Sequence, residues 1–127
     1  MNKFGAVLFV KDGARMRAFY ETVAGLSVTE AAPTWARLGT GAFELVVHGI
    51  PPHIAATFEI SSPPERREEA AIKLVFPIAD IAIARATAAP LGGEMNPPDR
   101  EWQLGSQRIC DGVDPEGNVF QVRAETP

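Results

Sequence analysis

The sequence predicts an α+β fold built from two βαβββ modules in a single domain. Three observations carry this expectation. The element order β-α-β-β-β can be read twice, over about residues 3–48 and again over about 71–124. The two copies share cap residues and strand parity at a constant offset. The length of 127 residues suits one domain holding both copies and a connector over about 49–70.

In chain order, Phe4 to Val10 is a short apolar run that reads as a buried strand. Asp12 is a good helix N-cap, and Met16, Phe19, Tyr20 and Val23 then recur at i, i+3, i+4 and i+7, the stripe of an amphipathic helix. Gly25 stops that helix. Ser27 to Glu30, Thr34 to Leu38 and Ala42 to His48 read as strands, the last two joined by a hairpin turn at Gly39-Thr40-Gly41. Gly49 to Ala70 holds Pro51, Pro52, Pro63 and Pro64 and reads as a connector, longer than a plain link needs and so placed to cover something. Ile54 to Ile60 within it reads as a short strand or a helical turn.

Ile72 to Ile78 is again an apolar strand, and Asp80 again a cap. Ile81 to Ala89 is an alanine-rich helix ended by Pro90 and Gly92-Gly93. Trp102 to Leu104 and Gln107 to Val113 read as strands. Asp114-Pro115-Glu116-Gly117-Asn118 is a turn, since Pro115 pre-sets φ and Gly117 can take a positive one. It feeds a last strand in which Val119, Gln121 and Arg123 share one face and Phe120 and Val122 the other.

The repeat has an offset of 68 residues: Val7 meets Val75, Asp12 meets Asp80, Ala14 meets Ala82, and Arg17 meets Arg85. At the far end, Phe43-Glu44-Leu45 matches Phe120-Gln121-Val122.

Composition narrows the function classes. Hydrophobic residues make up 46% and charged residues 22%, an ordinary globular balance. A net charge of -4 with no basic stripe argues against a nucleic-acid partner. The one arginine pair, Arg66 and Arg67, sits among Glu65, Glu68 and Glu69 and reads as locally neutralised. The single cysteine, Cys110, reads as structural and suits a reducing compartment. The run from Phe4 to Val10 is too short to span a membrane and lacks a cleavage pattern, so no membrane partner and a cytoplasmic location are expected.

Val10-Lys11-Asp12 with Phe19-Tyr20 and Gly25-Leu26, Phe76 and Ile78 with Asp80, and the Asp114–Asn118 turn together resemble the vicinal oxygen chelate superfamily. That superfamily includes glyoxalase I, bleomycin-resistance proteins, fosfomycin-modifying enzymes and extradiol dioxygenases. The resemblance covers nearly the whole chain except the connector. It implies two modules whose sheets form a U-shaped cleft with helices outside, and, since members are often dimers, a homodimer. In metal-using members, cleft-facing ligands lie on the first and last strands of the modules. Those places here are Gly5, Glu44, Lys73 and Gln121. Two oxygens beside an ammonium do not suit zinc, iron or nickel, so no metal and no cofactor are expected.

Strand parity places the candidate site. Ala6, Leu8 and Val10, like Leu74, Phe76 and Ile78, should pack under the helices. Gly5, Val7 and Phe9 should then face the cleft with Lys73, Glu44, His48, Gln121 and Arg123. Lys73 is expected to pair with Glu44, because an unpaired charge in a cleft is costly. The pair is either an acid/base couple or a structural filling of the metal's place. Glu44 and His48 lie roughly 13 Å apart along a strand, too far for one ion. Trp35 and Arg37 fall on the cleft face of their strand, and Trp102 is a second candidate wall.

Three functional readings follow. The first is a metal-free protein, similar to bleomycin-resistance members, that binds a small organic ligand through Phe9, Trp35, Arg37, Glu44, His48, Lys73, Trp102 and Gln121. The acidic chain would suit a cationic ligand. The second is a glyoxalase- or dioxygenase-type lyase or isomerase in which Glu44 and Lys73 move protons, or in which a non-standard metal site operates. A non-catalytic interaction module whose cleft is filled by its own side chains or by the connector is the third.

Overall fold

The two aspartate caps start the two main helices. In this computed structural model, which describes residues 2–127, the Asp12 carboxylate accepts from the Arg15 backbone N–H at 3.1 Å, and Asp80 accepts from Ile83 N–H at 3.1 Å. The first module runs β1 (Phe4–Val10), α1 (Gly13–Val23), β2 (Ser27–Ala32), β3 (Trp35–Thr40) and β4 (Phe43–Gly49). Gly25, at φ +67°, turns the chain out of α1. The connector holds one helical turn, α2 (Pro52–Ala55). The second module is β5 (Val75–Pro77), α3 (Ile81–Ala88), β6 (Glu94–Met95), β7 (Trp102–Leu104), β8 (Gln107–Val113) and β9 (Val119–Glu125).

The fold is α+β with two βαβββ modules, as the repeat implies, except that in the second module Glu94–Met95 (β6) takes the sheet position equivalent to β2 and the expected strand Trp102–Leu104 (β7) is an added short strand on β8. The strand expected over Ile72 to Ile78 is shorter than its apolar run. It is an edge strand, β9 is its one neighbour, and the regular pairing spans only Val75 to Pro77. Single bonds extend it at each end: Gln121 N–H donates to Leu74 O at 2.8 Å, and Ile78 N–H to Arg123 O at 2.9 Å.

One sheet has the order β1-β4-β3-β2, and the other β5-β9-β8-β6 with β7 also on β8. In each, the first strand lies parallel to the last, β1 on β4 and β5 on β9. Their registers differ. Val7 is level with Val46, whereas Val75 is level with Gln121. Under the repeat's offset, Gln121 therefore corresponds to Val46 and not to Glu44; strand parity is kept, but the depth along the sheet shifts by one pleat.

Both sheets put one face into a common core. Met16, Phe19, Tyr20 and Val23 are the buried residues of α1, the set its periodicity picks out. Tyr20 lies 5.5 Å from Phe76 and 5.8 Å from Phe120 between ring centroids, so α1 contacts the inner face of the second sheet. It also packs on β3 and β4 of the first. Phe43 of β4 meets Phe76 of β5 at 5.9 Å, edge to face. The opposite faces of both sheets are left open.

The Asp114–Asn118 turn fastens the modules together. Asp114 is fully buried. It accepts from Glu116 N–H at 2.9 Å, from Asn118 N–H at 3.0 Å, and from the Tyr20 hydroxyl of the other module at 2.6 Å. Glu116 accepts from Lys11 N–H at 2.7 Å and Asp12 N–H at 2.8 Å, just ahead of α1. Burial pushes the Tyr20 phenol well above its ordinary range, with the Asp114 charge adding to it. Burial also raises the Asp114 carboxyl, against the pull of the hydrogen bonds it accepts from Tyr20 and Asn118.

The connector is tied to the same place. Arg67 N–H donates to Gly117 O at 2.9 Å, and the Lys11 ammonium donates to the Phe58 carbonyl. Gly117 sits at φ +90° with the Glu65 carbonyl against its Cα, where a side chain has no room.

Candidate functional site

Alternation along the first sheet sends Gly5, Val7 and Phe9, Glu44, Val46 and His48, and Trp35 and Arg37 to the face away from α1. The polar centre of this face is Arg37. Its guanidinium holds Glu44 at 2.7 Å and Glu30 at 3.1 Å. These three, with Lys3 and Thr29, border an open depression of about 520 Å³. The Phe9 ring tilts against His48 at 5.6 Å, and His48 is level with Trp35 on the next strand. Trp35 and His48 also edge a second depression of about 620 Å³ beside Lys11 and Ile50. Phe9, Trp35, Arg37, Glu44 and His48 are thus brought to one face.

The second sheet's open face carries Lys73 and Val75, Gln121 and Arg123, Asp111, and Trp102. Its polar groups form a chain. The Lys73 ammonium lies 2.8 Å from Asp111, Gln121 Nε2 donates to the other Asp111 oxygen at 3.2 Å, and Arg123 Nε donates to Gln121 Oε1 at 2.8 Å. Gln121 is buried beneath this chain.

The expected Glu44–Lys73 pair is not formed. The reason is register. The hairpin turn is Gly41-Ala42, not Gly39-Thr40-Gly41, because Gly39 and Thr40 still pair within β3, and it sets Arg37 diagonally across from Glu44, with Gly39 level with Glu44. On the other sheet, Asp111 is level with Gln121 and meets Lys73 instead. The two charged residues lie on separate sheets and border different depressions. Asp111 and Glu30 are the partners that sequence reasoning missed. The hairpin length gives the Arg37–Glu44 diagonal in advance, but the Lys73–Asp111 contact depends on the path of the residues ahead of β5, outside its regular pairing with β9.

The residues expected at the superfamily's metal positions do not fit a divalent ion, and the register puts the apolar Val46, rather than Glu44, at the place equivalent to Gln121. Gly5 offers no side chain, and a Cβ there would run into the Glu44 backbone. Glu44 is held by Arg37, Gln121 is a neutral amide already bonded on both ends, and Lys73 is a cation. Among the described residues no three His, Cys, Asp or Glu side chains are grouped as a metal site requires.

Cys110 faces the helix side of β8. It is buried, near the Arg85 guanidinium at 3.7 Å, and burial raises its thiol above the usual value. No helix among the described residues is long and apolar enough to cross a membrane.

Comparison with known proteins agrees with this architecture. A glyoxalase-like domain family model matches residues 6–123. No curated protein matches the chain. Among solved structures, a glyoxalase/bleomycin resistance protein/dioxygenase family enzyme from Burkholderia phytofirmans PsJN is 19% identical, with a TM-score of 0.66 over 99% of this chain and 100% of that one. A glyoxalase/bleomycin resistance protein from Albidiferax ferrireducens T118 is 15% identical, with a TM-score of 0.66 over 97% and 98%. The genomically encoded fosfomycin resistance protein FosX from Listeria monocytogenes is 18% identical, with a TM-score of 0.64 over 99% and 93%. At these identities the likeness concerns the fold. The family model spans both modules and the turn that joins them, and the chain belongs to the glyoxalase-like domain family.

Proposed function

We propose that this protein binds a small organic ligand on its open sheet faces without a metal, in a cleft completed by a second copy of the chain. The observation that carries the first part is the state of the polar groups where the superfamily places metal ligands. Glu44 is closed by Arg37, and Gln121 by Asp111 and Arg123, while Val46 lies beside the first of these centres and Phe9, His48 and Trp35 form an aromatic patch farther along the same face. Such a face offers stacking and bidentate hydrogen bonding to a flat ligand, and no free donor set for a cation.

The homodimer rests on the edges. β1 and β5 are both edge strands with one neighbour each. Phe4 is 87% exposed, Phe9 64% and Ile72 78%. A seven-residue apolar edge strand left bare invites pairing, and natural chains cover such edges. A second copy laid along β1 and β5 would cover these residues and set the first sheet of one copy facing the second sheet of the other.

The alternative, a lyase or isomerase with Glu44 and Lys73 as acid and base, needs both groups on one substrate. Within the chain they sit on different sheets, each beside an opposite charge. The binding reading is tested by thermal shift against a set of small organic compounds in metal-stripped buffer, with wild type, Trp35→Ala and Phe9→Ala. Compounds that stabilise the wild type should lose most of their effect in the variants. Stabilisation that requires an added divalent metal would contradict the reading.

A further inference from the structure

The connector does more than join the modules. After α2 it runs to the Asp114–Asn118 turn, where Arg67 is tied by its backbone to Gly117, and from there it crosses the edge of the second sheet's open face. At that place it borders a cavity of about 200 Å³ together with Asp111 of β8, Val119 of β9, Asn96 and Arg100. The charged groups around it are Arg66, Arg67, Lys73 and Arg100 against Glu68 and Asp111. In a chain whose net charge is -4, this is a local excess of positive charge.

The arginines lack the partners that their sequence neighbours suggest. Glu65, Glu68 and Glu69 do not neutralise Arg66 and Arg67: among the described residues no carboxylate lies within ion-pair distance of Arg66, Arg67 or Arg100. Arg66 donates to the Asn96 amide oxygen at 2.6 Å, which fixes its direction but leaves its charge unmatched. Asn96 is in turn held to β8 through its N–H on Asp111 O at 2.9 Å. Lys73 is steered by Asp111. Four cations border one cavity against two carboxylates, and like charges gathered around one space repel less when an anion sits between them.

We propose that this cavity is a binding site for the oxyanion end of a small molecule, a carboxylate or a phosphate group, held by Arg66, Arg67 and Arg100 with Lys73 beside them. Guanidinium groups present paired N–H donors that match both oxyanions, and the volume suits one such group. The inference deepens the ligand-binding reading above, because the cavity opens on the same face as Gln121 and Asp111. It replaces the expectation of a cationic ligand: the overall charge is acidic, but the charge at the site is not.

The test is calorimetric titration of the full chain in metal-stripped Tris buffer, with inorganic phosphate and with succinate as separate probes and chloride at matched ionic strength as the control. The expected result is saturable binding of at least one probe with Kd below about 1 mM, weakened tenfold or more by the double variant Arg67→Gln/Arg100→Gln and unchanged by Arg15→Gln on α1. Both variants alter exposed side chains, and circular dichroism checks that each is folded. Binding of phosphate alone or succinate alone keeps the site and assigns its ligand class. Absence of saturation with both probes, or equal affinity in wild type and the folded double variant, overturns the proposal. Because Trp35 and Phe9 lie on the other sheet, this titration and the compound screen fail separately.

Discussion

Glu116 is the residue whose removal tests the joint between the modules. Its carboxylate is 7% exposed and receives the backbone N–H groups of Lys11 and Asp12 across 105 and 104 residues of sequence. A hydrogen bond to a charged group contributes about 1.5–3 kcal/mol. The Lys11 bond is partly buried and belongs in that range. Asp12 is exposed, so water replaces much of the second bond when it is lost. Glu116→Ala should therefore cost about 2–4 kcal/mol, and Glu116→Gln, which keeps one neutral acceptor, roughly half of that. For a domain of this size the alanine variant should melt on the order of 10 °C lower. Urea unfolding followed by tryptophan fluorescence gives the free energies, and hydrogen exchange gives the site, since the Lys11 and Asp12 amides should lose protection first. A Glu116→Ala variant within about 0.5 kcal/mol of wild type, with those amides still protected, would refute the assignment of this turn as a joint.

Three further outcomes follow from the same structure. Tyr20 is the only tyrosine in the chain, so tyrosinate absorbance reports it alone. Its folded pKa is raised by burial, so the stability it contributes is fully present below about pH 10 and is lost as pH climbs above that. Tyrosinate should appear only together with unfolding, and titration of a still-folded protein near the ordinary phenol value would contradict this. Gly117→Ala should cost at least about 1–2 kcal/mol from its left-handed backbone alone and should loosen the connector that lies against it. Limited proteolysis within 59–70 should speed up, and unchanged resistance would count against the connector's being pinned there. Phe9→Asp on the bare edge strand should shift the assembly toward monomer in sedimentation equilibrium; a wild type that is already monomeric would remove the dimeric cleft.

Much of the fold was legible because it rests on local rules. Asp12 and Asp80 mark both helices by capping chemistry, and the α1 stripe fixes which side of the first sheet is inside. Parity alone separates Phe9, Glu44 and His48 from Leu8, Leu45 and Val47. Pairing across the site was not legible. The identity of Glu44's partner depends on a hairpin diagonal, and that of Lys73 on the path of the chain ahead of a short edge strand. The repeat encouraged the wrong match of Gln121 with Glu44, because parity survives a two-residue shift that moves a side chain one pleat along the sheet. The Asp114–Asn118 segment was legible as a turn but not as a joint between the modules. Its polar residues are spent on Tyr20, Lys11 and Asp12. The connector hid its role for a different reason: Arg66 and Arg67 flanked by Glu65, Glu68 and Glu69 cancel on paper, while among the described residues of the fold no carboxylate comes within ion-pair distance of either arginine.

The measurement that bears most directly on the central claim is metal content of untagged protein, paired with a thermal-shift series over zinc, nickel, manganese, iron and cobalt. The account predicts substoichiometric metal and no metal-dependent rise in melting temperature, because Glu44 and Gln121 are already engaged and Gly5 and Lys73 supply no ligand. Stoichiometric metal, or a rise of several degrees with one ion that Glu44→Gln abolishes, would contradict it and point to an enzyme whose ligand set forms only in the assembled protein.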